Sequence, residues 1–238
     1  MSKNIGNVKN IKNRAYNMTV IPAILVKNIQ EFEEQYKEII KFTQKIHIDY
    51  TTNEFVNQTS ITPKQTPMQK KGSEAHLMTF NPTQHIDRLR LRNFETIIFH
   101  YEALKDNMLI HTEITKIKHA KLKAAMAINP DTQIHAVTQY ANYLDKLLIM
   151  GVTPGKQGQR FQESTYQKIK LLQEKHKNLH ITVDGGIKPK QAYKLGSLGV
   201  KEIVVGSYIT KAKNKKKNYE EIKKQHNKGL KEYEKNKD

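Results

Sequence analysis

The sequence predicts one α/β domain whose parallel sheet closes into a (β/α)8 TIM barrel. Three observations carry that reading. Short β-branched or apolar runs alternate with amphipathic segments along most of the chain, eight such runs occur, and no low-complexity linker divides them. An open doubly wound sheet would usually show a Gly-rich dinucleotide turn after its first strand, and none follows Leu25. The 238 residues are enough for one barrel.

Residues 19–25 read as the first strand, and 30–42 as a helix with Phe32, Tyr36, Ile39 and Ile40 along one side. Residues 45–49 form a second strand. The unit that follows is irregular, because Pro63 and Pro67 interrupt a stretch without helical periodicity. A long loop with a short or distorted helix is expected there. Residues 75–78 are the third strand, followed by a helix over 82–91 with Pro82 in its first turn. Strands over 95–100, 124–128 and 146–150 come next. A helix over 163–175 places Tyr166, Ile169, Leu171 and Leu172 on its apolar face. Strands over 179–184 and 202–205 enclose a helix over 190–198 that Gly199 stops.

The barrel is thus expected over residues 18–210. Residues 1–17 form a polar, basic extension without the apolar centre of a signal peptide. Residues 211–238 form a Lys/Glu-rich helix or tail that completes the barrel. The net charge of +18 is dispersed, and Lys is accompanied by many Asn and Ile, as in a compositional bias. In the tail, Glu220, Glu221, Glu232 and Glu234 interleave with Lys, which reads as a solvated helix. Its aromatics, Tyr219 and Tyr233, are too sparse for a single-strand stacking tract, so specific nucleic-acid binding is not expected. No apolar run is long enough to span a bilayer, and the absence of Cys excludes disulfides and thiolate metal sites. A cytoplasmic protein is the default expectation.

The chemistry concentrates on strand ends. His47 and Asp49 are two apart on a strand, so their side chains share a face. His76 lies on the third strand and Asp184 ends the seventh. Two imidazoles and two carboxylates make a complete site for a borderline divalent metal, and two of the same groups could pass a proton on and off a carbon acid. They converge only if the barrel closes. His85, His111, His119 and His226 read as structural or exposed. On the same rim, Gly155 and Gly158 bracket Lys156 and Gln157, Gly185 and Gly186 follow Asp184, and Gly206 and Ser207 open a helical segment. These three clusters are expected to cradle a phosphate through backbone N–H groups. Gly151 and Gly199 read as turn punctuation.

Ile-Pro-Ala-Ile-Leu (21–25), Ile-His-Ile-Asp (46–49), His-Leu-Met (76–78), Phe-His-Tyr-Glu-Ala (99–103), Ala-Ile-Asn-Pro (127–130), Met-Gly-Val-Thr-Pro-Gly (150–155), Val-Asp-Gly-Gly-Ile (183–187) and Val-Gly-Ser (205–207) occur in this order. Together they resemble the ribulose-phosphate 3-epimerase family, enzymes of the pentose phosphate pathway, from about residue 20 to 209. The resemblance implies a ribulose-phosphate-binding barrel with one divalent cation (Zn, Fe, Mn or Co) on His47, Asp49, His76 and Asp184. It implies that Asp49 and Asp184 exchange the C3 proton from opposite faces of a phosphorylated ketose, and that the metal contacts the C2 carbonyl and C3 hydroxyl oxygens. His76 and the glycine clusters would contact substrate or phosphate, and Ala23, Met78 and Met150 would line the pocket. A homo-oligomer is implied as well.

This chain departs from the family at several places. Ala23 replaces a substrate-contacting Ser. Thr51, Thr52 and Asn53 replace Met-Asp-Gly, so Thr51 stands where a pocket Met is usual. Lys156 and Gln157 interrupt a Gly-Phe-Gly-Gly phosphate loop. D-Ribulose 5-phosphate is the expected substrate, with a ketohexose 6-phosphate as the close variant. The alternatives are a non-catalytic phosphate- or nucleic-acid-binding barrel, and a decarboxylase, for which the second strand lacks an Asp-x-Lys pattern.

Overall fold

The computed structural model describes residues 18–155 and 158–237. Eight strands, β1 (Thr19–Ile24), β2 (His47–Thr51), β3 (Glu74–Met78), β4 (Thr96–His100), β5 (Lys123–Ile128), β6 (Lys146–Met150), β7 (Ile181–Asp184) and β8 (Glu202–Val205), pair in sequence order, and β1 closes the ring on β8. All pairings are parallel, and Thr19 through Pro22 lie opposite Glu202 through Val205 at the closure. The fold is the expected TIM barrel. The extension over residues 1–17 lies outside the described residues.

Alternation along the strands divides the core in two. Ile24, Ile48, Leu77, Ile97, Phe99, Met126, Ile149, Val183 and Ile203 face outward into the layer shared with the helices, where Phe32, Ile110, Ile169 and Leu195 are fully buried. The intervening positions form a smaller inner cluster of Ile21, Ala23, Ile98, Ala125, Ala127, Leu148, Met150 and Val204. Three alanines in that cluster leave room inside the ring for larger polar side chains from β2, β3, β4 and β7. At the amino-terminal end the ring is plugged by charge. Lys146 Nζ lies 2.5 Å from Glu74 Oε1 and 2.6 Å from Glu202 Oε1, and Lys45 Nζ lies 2.8 Å from Glu202 Oε2. Burial opposes the charge on Glu74, but Lys146, His47 and Lys45 outweigh it and hold its carboxyl below the usual range.

The helices are α1 (Ile29–Ile39), α2 (Asn53–Val56), α3 (Ile86–Leu91), α4 (Tyr101–Leu104), α5 (Asn107–His119), α6 (His135–Thr138), α7 (Ser164–Lys175), α8 (Pro189–Ser197), α9 (Ser207–Thr210) and α10 (Lys215–Lys235). Asn28 caps α1 by accepting from Glu31 N–H at 2.9 Å, and Asp106 caps α5 in the same way through Leu109 N–H. The segment over 82–91 is not one helix: Pro82–His85 is a 3-10 turn that hands over to α3. The second unit is irregular as expected, with a four-residue α2 that ends at Asn57 in the left-handed region (φ 52°). The chain then folds back, so that the buried Ser60 hydroxyl accepts from Thr51 N–H and reaches the Asp49 carbonyl.

Two further readings change. Leu171, placed on the apolar face of its helix, is 46% exposed; Ile169 and Leu172 are buried as expected, and Thr165 rather than Leu171 completes the buried side of α7. The tail is also more than a solvated helix, because α10 buries Tyr219, Ile222, His226, Gly229 and Leu230. Those positions recur every three or four residues, but a His and a Gly interrupt the apolar stripe and Lys and Glu crowd around it. α10 crosses α8 at two glycines. A Cβ on Gly229 would lie 2.0 Å from the Tyr193 carbonyl, and one on Gly196 would lie 2.3 Å from the His226 carbonyl. Among the described residues no helix is long and apolar enough to cross a membrane.

Gly229→Ala is therefore expected to force the two helices apart and destabilise the protein by about 1–3 kcal/mol, read from the denaturant midpoint. A second expectation concerns His226, whose Nε2 donates to the Val200 carbonyl at 2.7 Å while Nδ1 is buried without a partner. Burial lowers its pKa from 6.5 to about 4, against the opposing pull of that carbonyl. The unfolded chain then takes up the proton first, so the stability that His226 contributes is complete above about pH 6.5 and is lost as the pH falls through about 4. The difference in melting temperature between the wild type and His226→Gln should narrow from pH 7 to pH 5. A constant difference would remove the titration argument.

Candidate active site

The ring closure brings the four strand-end residues together. The β2–β3 register sets Asp49 directly opposite His76, and the β6–β7 register sets Asp184 opposite Met150. His76 Nδ1 lies 2.8 Å from Asp49 Oδ1, and His47 Nε2 lies 3.3 Å from the same oxygen. Asp184 Oδ2 is 3.9 Å from each of these nitrogens. One ligand atom from each residue falls within 4.8 Å of all the others. Bonds of about 2.0–2.2 Å to a single cation would space its ligands by about 3–4 Å, so the donor set and its dimensions fit a divalent metal. His47 Nε2 is buried with no hydrogen-bond partner, an orphan that a cation would satisfy.

The surroundings favour one positive charge at the centre. Burial opposes protonation of His47, but Asp49 and Glu74 prevail and raise its pKa to about 10. Burial also opposes the charge on Asp49, which His47 and His76 nevertheless hold well below the carboxylate range. Asp184 behaves differently: burial, reinforced by the negative charge of Asp49, raises it to about 7. Burial lowers His76 to about 4 despite its bond to Asp49. A metal ion would take over the role of the proton on His47, and its binding would release that proton.

Above the cluster lies a cavity of about 320 Å³. Asp49 and Asp184 line it, together with Ala23, Met78, Met150, Gly155, Gly158, Gly185, Gly186, Gly206 and Ser207. His47 and His76 do not line it; both are fully buried beneath. His76 thus sits with the cluster and apart from the glycine rim with which the sequence also grouped it. Lys156 and Gln157 lie outside the described residues. The glycines matter where loops meet. Gly186 has φ +69°, and a Cβ there would lie 2.8 Å from Phe161 N. Gly151, read as punctuation, is a close approach instead, since its Cβ would lie 2.6 Å from both the Gly185 carbonyl and the Phe161 ring.

Several residues escaped the sequence reading. Lys188, Tyr208 and Lys211 line the cavity, and the two lysines are exposed cations at its mouth. Glu74 lies 3.3 Å from His47 Nδ1. Its position two residues before His76, on the same strand face, was a usable signal. His100 lies 2.9 Å from His76 and 3.0 Å from Glu102. Its His-x-Glu spacing repeats the His-x-Asp of β2.

The profile of the ribulose-phosphate 3 epimerase family matches residues 19–210. The chain is 32% identical over 204 residues to the chloroplastic ribulose-5-phosphate-3-epimerase of Arabidopsis thaliana, covering 82% of this chain and 72% of that protein. It is 30% identical over 213 residues to ribulose-phosphate 3-epimerase of Bacillus subtilis, covering 85% of this chain and 97% of that one. In fold it resembles 3-hexulose-6-phosphate synthase from Salmonella typhimurium, with a TM-score of 0.67 at 15% identity over 89% of this chain and all of that one.

Zn²⁺ added to metal-free protein should raise the melting temperature, with about 2.7 kcal/mol of stabilisation at a hundredfold excess over Kd. His47→Ala should abolish the shift. An equal shift in that variant, followed by scanning fluorimetry, would place the ion elsewhere.

Proposed function

The chain belongs to the ribulose-phosphate 3-epimerase family, and we propose from that premise that it inverts C3 of D-ribulose 5-phosphate to give D-xylulose 5-phosphate. One observation carries the reading: of the four clustered residues, only the carboxylates Asp49 and Asp184 line the cavity, and they enter it from β2 and β7. The imidazoles hold the cluster from below, while both groups able to exchange protons face the space a sugar would fill.

Inversion needs one group to take a proton from one face and another to deliver a proton to the opposite face. Asp49, kept ionised by its two histidines, suits removal of the C3 proton, and Asp184, with its pKa raised to about 7, suits its return. In the reverse reaction the two exchange roles. A proton beside a ketone is weakly acidic, and a divalent cation held by His47, Asp49, His76 and Asp184 would stabilise the charge that builds on the enediolate oxygens. Zn²⁺ or Fe²⁺ suits this mixed imidazole and carboxylate set. Ala23, Met78 and Met150 shield the carbon chain from water. The backbone near Gly185, Gly186 and Gly206 takes the phosphate, with Lys188 and Lys211 supplying charge at the mouth.

Metal-replete protein incubated with D-ribulose 5-phosphate in D2O should place deuterium at C3, followed by NMR. Asp49→Asn and Asp184→Asn should each lower kcat by about 10²–10⁴-fold, the usual worth of a positioned acid or base. No exchange at C3 in metal-replete wild type would refute the reading.

A further inference from the structure

The geometry points to Glu102 and His100 as positioning residues that dictate which ring nitrogen of His76 is offered to a cation. The inference rests on the metal-holding reading above and adds residues outside the ligand set. Glu102 stands in the first turn of α4, directly after β4, where both of its oxygens face donors. Oε1 accepts from Asn129 N–H at 2.8 Å and from the Thr132 hydroxyl, and Oε2 lies 3.0 Å from His100 Nδ1. The loop that supplies the first two donors is itself pinned, because Lys168 Nζ donates to the carbonyls of Asn129, Pro130 and Thr132 at 3.0, 2.6 and 2.7 Å.

A carboxylate so placed can only accept, so the proton of neutral His100 resides on Nδ1. His100 Nε2 is then a bare acceptor. It lies 2.9 Å from His76 Nε2, and the two rings are within 19° of parallel, so that nitrogen of His76 must be the donor. The proton of His76 is thereby kept on Nε2, so that Nδ1, 2.8 Å from Asp49 Oδ1, can offer its lone pair to a cation in place of a hydrogen bond to that carboxylate. Two electron-rich atoms at that spacing suit neighbouring ligands on one cation. His47 shows the same device in mirror form: Nδ1 lies 3.3 Å from Glu74, so Nε2 is the nitrogen offered.

The argument makes an unusual ordering of variants. In Glu102→Gln, the amide oxygen remains toward the Asn129 and Thr132 donors, which turns the NH2 group onto His100 Nδ1. His100 must then accept at Nδ1 and carry its proton on Nε2. His76 must accept at Nε2 and carry its proton on Nδ1, where the metal would bind. Glu102→Ala imposes no tautomer. Zn²⁺ affinity, measured by competition with a chromogenic chelator, should therefore fall about 10- to 100-fold in Glu102→Gln and less in Glu102→Ala. A merely structural Glu102 gives the opposite order, since Ala loses more contacts than Gln; that order, or equal affinities, overturns the inference. A measurement on the wild type needs no variant to fold. In Zn²⁺-loaded protein with ¹⁵N-labelled histidine, His76 should be protonated at Nε2 and His100 at Nδ1, and the reverse assignment would also overturn it. If the wild type binds no Zn²⁺, the metal-holding reading itself falls, an outcome distinct from wild-type binding with unchanged variants.

Discussion

The register between β2 and β3 is the constraint on which the site depends. It places Asp49 across from His76, and strand periodicity then brings His47 and Glu74 opposite each other one step below. Side chains on a strand alternate with a period of two, so a slip of one residue would turn the whole polar set outward among the helices and replace it with Ile48, Tyr50, Ala75 and Leu77. The outer layer opposes such a slip because those four residues are buried there. The apolar shell thus enforces the geometry of the polar centre, although it touches none of the chemistry.

Much of this was legible in the sequence because both periods are strong. The eight strands and their order follow from apolar runs that alternate with amphipathic segments, and the four clustered residues from His and Asp near the ends of three of those runs. The irregular second unit announced itself through Pro63 and Pro67. The illegible parts have physical reasons. α5 lay outside the segments read from sequence, although Ile110, Ile114 and Ile117 mark its buried face. The packing side of α10 is written partly in His226 and Gly229, residues that a search for apolar stripes passes over. Close approaches such as that of Gly151 to Gly185 join distant segments and leave no local trace. His100 did leave a trace in its His-x-Glu spacing, but its partner His76 appears only in the folded ring.

The interior of this barrel is costly to build. Glu74, Lys146 and Glu202 are buried, and ion pairs in such a place contribute little net stability against apolar replacements of equal volume. Their arrangement repays the desolvation in another way. Lys146 and Lys45 hold Glu74, and Glu74 meets the ring of His47 from below. An uncharged floor would leave that imidazole free to turn. Orientation of a reactive group, more than cohesion, accounts for charge at this depth.

Closure of β1 on β8 carries a consequence for how the molecule is made. The first strand emerges from the ribosome early, but its final neighbour follows some 180 residues later, and α10, which packs near both β1 and α8, comes later still. Until then β1 has one unsatisfied edge, and loop closure over such a span is entropically demanding. The ring cannot close until β8 has been made, so any β1 structure formed before then has an edge open to pairing with other chains. The last helix therefore acts as a latch on a structure begun at its other end.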